Sequence, residues 1–315
     1  MRGVELIPLS SVSCYSMTDI LREEQASWIS DLKWDYSEPQ QIVSEMIDHA
    51  ELPGHVALFE GQPAGYSYYL CRQGQGLLGN CFVTAKLYGL GLEERLLRAN
   101  IESIRRNPGI SRIEAQLVDL RKSRQGRFFE RSGFRRYERC FLLRQVEPCA
   151  PIPLSDKLSL EKWNDTALEP AAELTSLAYQ GTADWGMAHH YRTPSDCLEF
   201  LCSLVFRPGC GLLLREASFC AWVRSSRRLA GYILTSVVST KNGHIPQVAV
   251  APDYQGHGLG TVLVSRVIRA LSEIGYFSVS LSVTCENQRA LNLYRKLGFE
   301  PLFYFDAFAW DKVQD

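Results

Sequence analysis

Apolar and polar positions in the second half of the chain change period in a regular order. Leu263, Val264, Val267, Ile268 and Leu271 recur at helical spacing, which predicts an amphipathic helix after the glycines at 256, 258 and 260. Ahead of them, Ser218–Val223, Ala230–Val238 and His244–Val250 are β-rich runs joined by polar turns and predict a meander. A short strand near Leu158–Trp163 precedes a helix over about Thr166–Gln180. A polar, aromatic-rich loop at Gly181–Arg192 then leads to a helix at Ser195–Phe206. Pro194 can open that helix, because the N–H it lacks would have no partner in the first turn. Downstream, Tyr276–Val283 alternates as a strand, Gln288–Leu297 is helical and Leu302–Trp310 closes with aromatic strands. The order of strand, helices, three strands, helix, strand, helix and strand predicts a mixed α/β sandwich.

The same pattern occurs twice. Phe128-Phe129-Glu130-Arg131-Ser132-Gly133-Phe134 reads like Leu293-Tyr294-Arg295-Lys296-Leu297-Gly298-Phe299, and the run from Val83 to Gly91 aligns with the run from Val250 to Gly258. Gly256 follows Gly89 by 167 positions and Gly298 follows Gly133 by 165, so one small indel separates the two alignments. The chain is therefore read as a tandem repeat, with domains at 1–147 and 152–315 around the proline-marked linker Pro148–Pro153. Landmarks in the first copy are Val56–Glu60, Gly65–Cys71, Leu77–Thr84, a helix over Glu93–Arg106 and a strand over Arg112–Val118.

Charge narrows the classes of partner. Lys plus Arg number 34 against 35 Asp plus Glu, which favours neither a nucleic-acid polymer nor an anionic membrane. A local cluster (Arg121, Lys122, Arg124, Arg127, Arg131, Arg135, Arg136) is read as a solvated helix face. The ten cysteines show no CxxC pairing and no His-rich companion, so no metal site is expected; Cys81, Cys202 and Cys220 sit in apolar runs as small hydrophobes. The N-terminal residues lack a signal-peptide core and no run is long enough to span a bilayer, so a cytoplasmic location is expected.

Chemistry concentrates around the loop Gln255-Gly256-His257-Gly258-Leu259-Gly260. Its glycines allow positive φ and close approach of backbone to an anion, while the helix that follows offers unpaired N–H groups and a positive dipole end. Together these form a cradle suited to a pyrophosphate. Downstream lies Asn287-x-x-Ala290-x-x-Leu293-Tyr294-x-Lys296-x-Gly298-Phe299. With the loop pattern Gln-x-x-Gly-x-Gly, this run resembles the GNAT superfamily, the GCN5-related N-acetyltransferases. The resemblance covers Ala230–Phe299, while residues 152–229 match in layout alone.

That resemblance implies two tandem GNAT domains, each a mixed, mostly antiparallel twisted sheet flanked by helices. It also implies strands at His244–Val250 and Phe277–Val283 that splay to admit the pantetheine arm of acetyl-CoA or another acyl-CoA. Pro246, which cannot donate to a ladder, suits such a splayed or bulged strand. Cofactor binding would fall to Val248 and Val250, to the loop residues Gln255, Gly256, His257, Gly258, Leu259 and Gly260, and to Asn287. An N–H near Val248 would serve the thioester carbonyl as an oxyanion donor.

Tyr294 is the candidate general acid: a phenol with pKa near 10 is protonated at neutral pH and can supply the departing thiolate with a proton. His244 stands eleven residues before Gln255, where many family members carry a Glu, and is the candidate base. Ser282, twelve residues before Tyr294, occupies a position that carries Glu in some members acting on protein N-termini. Glu286 is a fallback base. Asp184, Trp185, His189 and Tyr191 are expected to bind the acceptor, since a carboxylate beside aromatics suits an amine with an apolar body.

The first copy departs from this pattern. Glu93 replaces the third glycine, Phe129 replaces the tyrosine and Lys122 stands at the asparagine position. Residues 1–147 are therefore expected to be non-catalytic. The whole chain is expected to transfer an acetyl group from acetyl-CoA to a primary amine of a small molecule, by direct attack in a ternary complex. Alternatives are a protein or peptide N-acetyltransferase and a non-catalytic acyl-CoA sensor. Its length and two-domain layout resemble tandem members of the mycothiol synthase type. Motifs specific to that type are not matched, so its substrate is not carried over.

Overall fold

The computed structural model describes residues 3–118 and 126–312. In chain order the first half supplies β1 (Val4–Pro8), α1 (Thr18–Leu32), α2 (Ser37–Asp48), β2 (Gly54–Phe59), β3 (Gln62–Arg72), β4 (Gln75–Val83), α3 (Leu92–Arg105), β5 (Arg112–Leu117), α4 (Gly126–Arg131) and β6 (Arg135–Gln145). The second half supplies β7 (Leu158–Lys162), α5 (Leu168–Tyr179), α6 (Ala183–Met187), α7 (Pro194–Phe206), β8 (Leu212–Leu213), β9 (Phe219–Val223) and β10 (Leu229–Ser239). It continues with β11 (Asn242–Val250), α8 (Leu259–Glu273), β12 (Ser278–Thr284), α9 (Gln288–Lys296) and β13 (Glu300–Asp311). No helix among the described residues is long and apolar enough to cross a membrane.

Two compact units result, and their bounds differ from the 148–153 linker. One runs to Glu138 and resumes at Phe305; the other is Arg139–Tyr304. Each half-chain thus gives its last strand to the other half's unit. Hydrogen bonding explains this: Arg139–Gln145 pairs along the whole of β12, and Asp306–Asp311 pairs along the whole of β5. A strand edge is satisfied by any complementary strand, and local sequence pattern does not say which one.

In the second unit the strands run β6-β12-β11-β10-β9-β7. The predicted helical stripe on α8 packs on one face, where Leu263, Val267, Ile268 and Leu271 are fully buried against Ile233 and Leu281. Each such side chain contributes about 1.5–3 kcal/mol by leaving water. Helices α5 and α7 cover the other face through Ala171, Leu201 and Tyr232. Thr193 caps α7 by accepting from Asp196 N, with Pro194 at its first position.

Register along β11 shapes the site. Leu234 pairs with Gln247 and Ser236 with His244, so Ile245 and Pro246 together oppose Thr235 in a bulge. Pairing with the parallel strand β12 runs from Asn242↔Ser278 to Ile245↔Leu281 and stops there, so the two strands part at Pro246. The bulge breaks side-chain alternation. Gly243 abuts Leu271 of α8 and Val248 packs in the α8 core, so His244 and Gln247 both face the α5 side.

The first unit repeats this plan as β1-β2-β3-β4-β5-β13. Its parallel pair β4/β5 also stops early, at Leu78↔Ala115, beside a bulge opposite Tyr68. Phe129, 0% exposed, stacks on Phe308 at 4.0 Å and is core. Of the basic cluster, Arg121, Lys122 and Arg124 lie outside the described residues. Arg127 and Arg131 are on α4, whereas Arg135 and Arg136 belong to β6 rather than to a helix face; Arg136 pairs with Asp306 at 2.8 Å. All ten cysteines are free thiols, with Cys220 buried and Cys81 and Cys202 half-buried.

Candidate active site

The glycine loop joins β11 to α8. Gly256 and Gly258 adopt φ of +85° and +82°, and Gly258 caps the helix with open space where a Cβ would stand. Gly260 is constrained by packing instead: a Cβ there would come 3.1 Å from Leu293 of α9. Among the described residues, the amides of residues 256–261 donate to no backbone group. They form a row of unpaired donors at the positive end of a 15-residue helix. Leu259 is buried in the α8 core, which leaves its backbone for a ligand, while His257 is exposed. Gln255 donates to Val250 O at 3.1 Å and accepts from Arg289 Nη1 at 2.9 Å. Arg289 stands 3.5 Å from the Cβ position of Gly256, so a cation borders the loop; the sequence reading passed over it because it lies two residues after Asn287 on another element.

Asn287 caps α9, its Oδ1 accepting from Ala290 N at 3.1 Å. Two turns on, Tyr294 is 7% exposed, and among the described residues its hydroxyl has no hydrogen-bond partner. Burial, together with the charge of Asp184, pushes its phenol well above the ordinary value, so it is protonated at neutral pH.

Residues 181–192, expected as a loop, contain α6 and a single helical turn at His189–Tyr191. Thr182 caps α6 by accepting from Trp185 N. Capping turns Asp184 inward: it is 6% exposed, and its Oδ1 accepts from Thr284 Oγ1, at the end of β12, at 2.6 Å. Tyr191 donates to Gln247 Oε1 at 3.2 Å and stacks on Tyr179 with ring centroids 4.1 Å apart. Tyr179 in turn donates to Val248 O at 3.1 Å. The charge of Asp184 raises Tyr179 and Tyr191 as well, after burial. Asp184, Tyr179, Tyr191 and Tyr294 thus gather where β11 and β12 part.

Trp185 and His189 are further out. Trp185 lies under the Arg192 guanidinium at 5.3 Å, and His189 Nδ1 is 3.7 Å from Asp196. Gln247 Nε2 is buried without a hydrogen-bond partner.

His244 lies within β11. Its Nδ1 is 2.9 Å from Ser280 Oγ, and its ring lies near-parallel to Phe141 at 6.0 Å. Burial, and then the Arg139 charge, pulls its pKa down to about 3. A histidine held neutral so firmly has little driving force to take a proton from an ammonium. Arg139 and Phe141 reach this unit on β6, which is why reading the second half alone missed them.

The corresponding loop of the first unit differs. Gly89 and Gly91 have the same positive φ, +75° and +86°, but Gly89 N donates to Glu93 Oε1 at 2.9 Å. The Glu93 carboxylate is buried and engages that amide from within the fold. Elsewhere in this unit, Tyr66 donates to the buried Glu24 at 2.5 Å and Asn80 Nδ2 also donates to it.

Comparison with known proteins gives consistent matches. Residues 183–299 match the family model for the acetyltransferase (GNAT) family. The mycothiol acetyltransferase of Tsukamurella paurometabola is 31% identical over 154 residues, 48% of this chain and 50% of that protein. The chain spans at most half the length of the first curated relatives it matches. Among solved structures, a GCN5-related N-acetyltransferase from Sphaerobacter thermophilus superposes with a TM-score of 0.72 at 17% identity, over 100% of this chain and 98% of that one. A tandem GNAT protein from the clavulanic acid biosynthesis pathway gives 0.61 at 15% identity, over 99% of each. At these identities the likeness is one of fold.

Proposed function

The chain belongs to the GNAT acetyltransferase family as a tandem member, and from that premise we propose that its second unit transfers an acetyl group from acetyl-CoA to a primary amine of a small molecule. The observation that carries this reading is the set of unpaired amides at residues 256–261 beside strands that part at Pro246. Those amides, with Arg289, would hold the pyrophosphate. The gap beyond Ile245 would take the pantetheine arm, with Val248, Val250 and Asn287 along it. In the reaction the amine attacks the thioester carbonyl, the Val248 amide bears the developing oxyanion, and Tyr294 gives its proton to the departing thiolate.

The first unit is proposed as non-catalytic. Phe129 has no proton to give, and Glu93 holds the amide that a phosphate would need. A small acceptor is favoured by the mycothiol acetyltransferase relatives. The test is Tyr294→Phe, with thiol release and acetyl-CoA binding measured together. A general acid contributes about 10²–10⁴-fold, so turnover should fall by that factor with affinity unchanged. Full turnover in the variant would remove the acid role.

A further inference from the structure

Asp184 is a buried carboxylate in an unusual setting. It is 6% exposed and has one side-chain hydrogen bond, from Thr284; among the described residues no ion pair includes it. An ionised carboxylate left without a partner in a protein interior is costly, and such groups are ordinarily paired. Its neighbours are instead phenols: Tyr179, Tyr191 and Tyr294 all carry the imprint of its charge. Arg139 acts on Tyr191 and His244 in the same unit, through the strand carrying Phe141. The second oxygen of Asp184 is not engaged by any side chain in the described residues, while Thr284 fixes the first.

We propose that Asp184, rather than His244, receives the ammonium of the acceptor and takes its proton, with Thr284 as the residue that positions it. This rests on the acetyltransferase reading above. The missing cation at Asp184 is then the substrate itself, and neutral nucleophiles such as alcohols are selected against because they leave the charge unpaired. In the step, an N–H bond of the ammonium breaks and its proton passes to the Asp184 carboxylate. The freed lone pair forms the C–N bond to the thioester carbon. Collapse of the tetrahedral adduct breaks C–S, the thiolate takes the Tyr294 proton, and the remaining excess proton on nitrogen returns to the phenolate. The proton on Asp184 leaves to solvent with product, so the sum is ammonium plus thioester to amide, thiol and one proton.

The test compares wild type with Asp184→Asn and Thr284→Val. Thiol release is followed from pH 5 to 10 with acetyl-CoA and a panel of glucosamine, spermidine, an amino-acid amide and a short peptide. For an amine that wild type uses, Asp184→Asn is expected to lose about 100-fold or more in kcat/KM, with acetyl-CoA affinity unchanged by calorimetry. Its residual rate should climb about tenfold per pH unit toward the amine's own pKa, since the unprotonated amine must then come from solution. Thr284→Val should fall between the two. Wild-type rate and pH profile retained in Asp184→Asn, or a basic limb lost in His244→Gln and kept in Asp184→Asn, overturns the proposal. Should wild type bind acetyl-CoA and release no thiol with any amine, the acetyltransferase reading fails instead, and Asp184 falls with it.

Discussion

Glu24 offers the sharpest quantitative prediction. It is buried in the first unit among Tyr66, Tyr68, Asn80 and Trp28, and burial raises its pKa from 4.5 to about 7 against the opposing hydrogen bonds. The folded state therefore holds a proton that the unfolded state releases at lower pH. Stability from this source is complete below about pH 4.5 and is lost as pH rises through 7. A shift of about 2.5 units at 1.36 kcal/mol each is a loss of about 3 kcal/mol across that window. Glu24→Gln keeps the shape, can still hydrogen-bond Tyr66, and has no proton to lose. His190 and His244, each pulled down to about 3, act in the opposite direction, since their stability is present above 6.5 and lost as pH falls. The quantity to measure is therefore the difference between variant and wild type. Urea unfolding followed by tryptophan fluorescence suits it, because Trp28 stacks on Tyr36 at 4.5 Å within this unit. The variant should gain about 3 kcal/mol on wild type between pH 4.5 and 7.5. A pH-independent difference would refute the reasoning.

Gly258→Glu should abolish acetyl-CoA binding while the fold survives, because open space surrounds its Cβ position and left-handed strain costs about 1–2 kcal/mol; normal affinity by calorimetry would contradict the cradle. Glu93→Gly frees the Gly89 amide, and a second, weaker acetyl-CoA binding event absent from wild type is expected; a single event would show that more than Glu93 closes the first unit. Residues 152–315 expressed alone lack Cys140 and Leu142 from the core and leave the β12 edge bare, so circular dichroism and urea titration should show no cooperative fold, whereas a well-folded fragment would contradict the strand exchange.

Much of the fold was legible locally. Helical spacing from Leu263 to Leu271 marked α8, alternation marked β11 and β12, and the 165- and 167-residue offsets marked the repeat, because each depends on neighbours along the chain. The glycine loop was visible for the same reason, since its positive-φ residues stand at neighbouring positions between a strand and a helix. Glu93 could be seen to replace a glycine, but not that its carboxylate would fold back onto Gly89.

Long-range pairing was decided in three dimensions. Nothing in the Arg139–Gln145 segment says that its partner is β12, more than a hundred residues on, since hydrogen-bonding edges are nearly alike wherever they occur. That exchange brings Arg139 and Phe141 to His244, where burial and then the Arg139 charge hold its pKa down. Asp184 and Thr284 are a hundred residues apart and meet through one hydrogen bond, as do Tyr191 and Gln247. Residue type and spacing follow from the sequence by itself; desolvation and charge proximity, which set what each group does with a proton, exist only once the chain has packed.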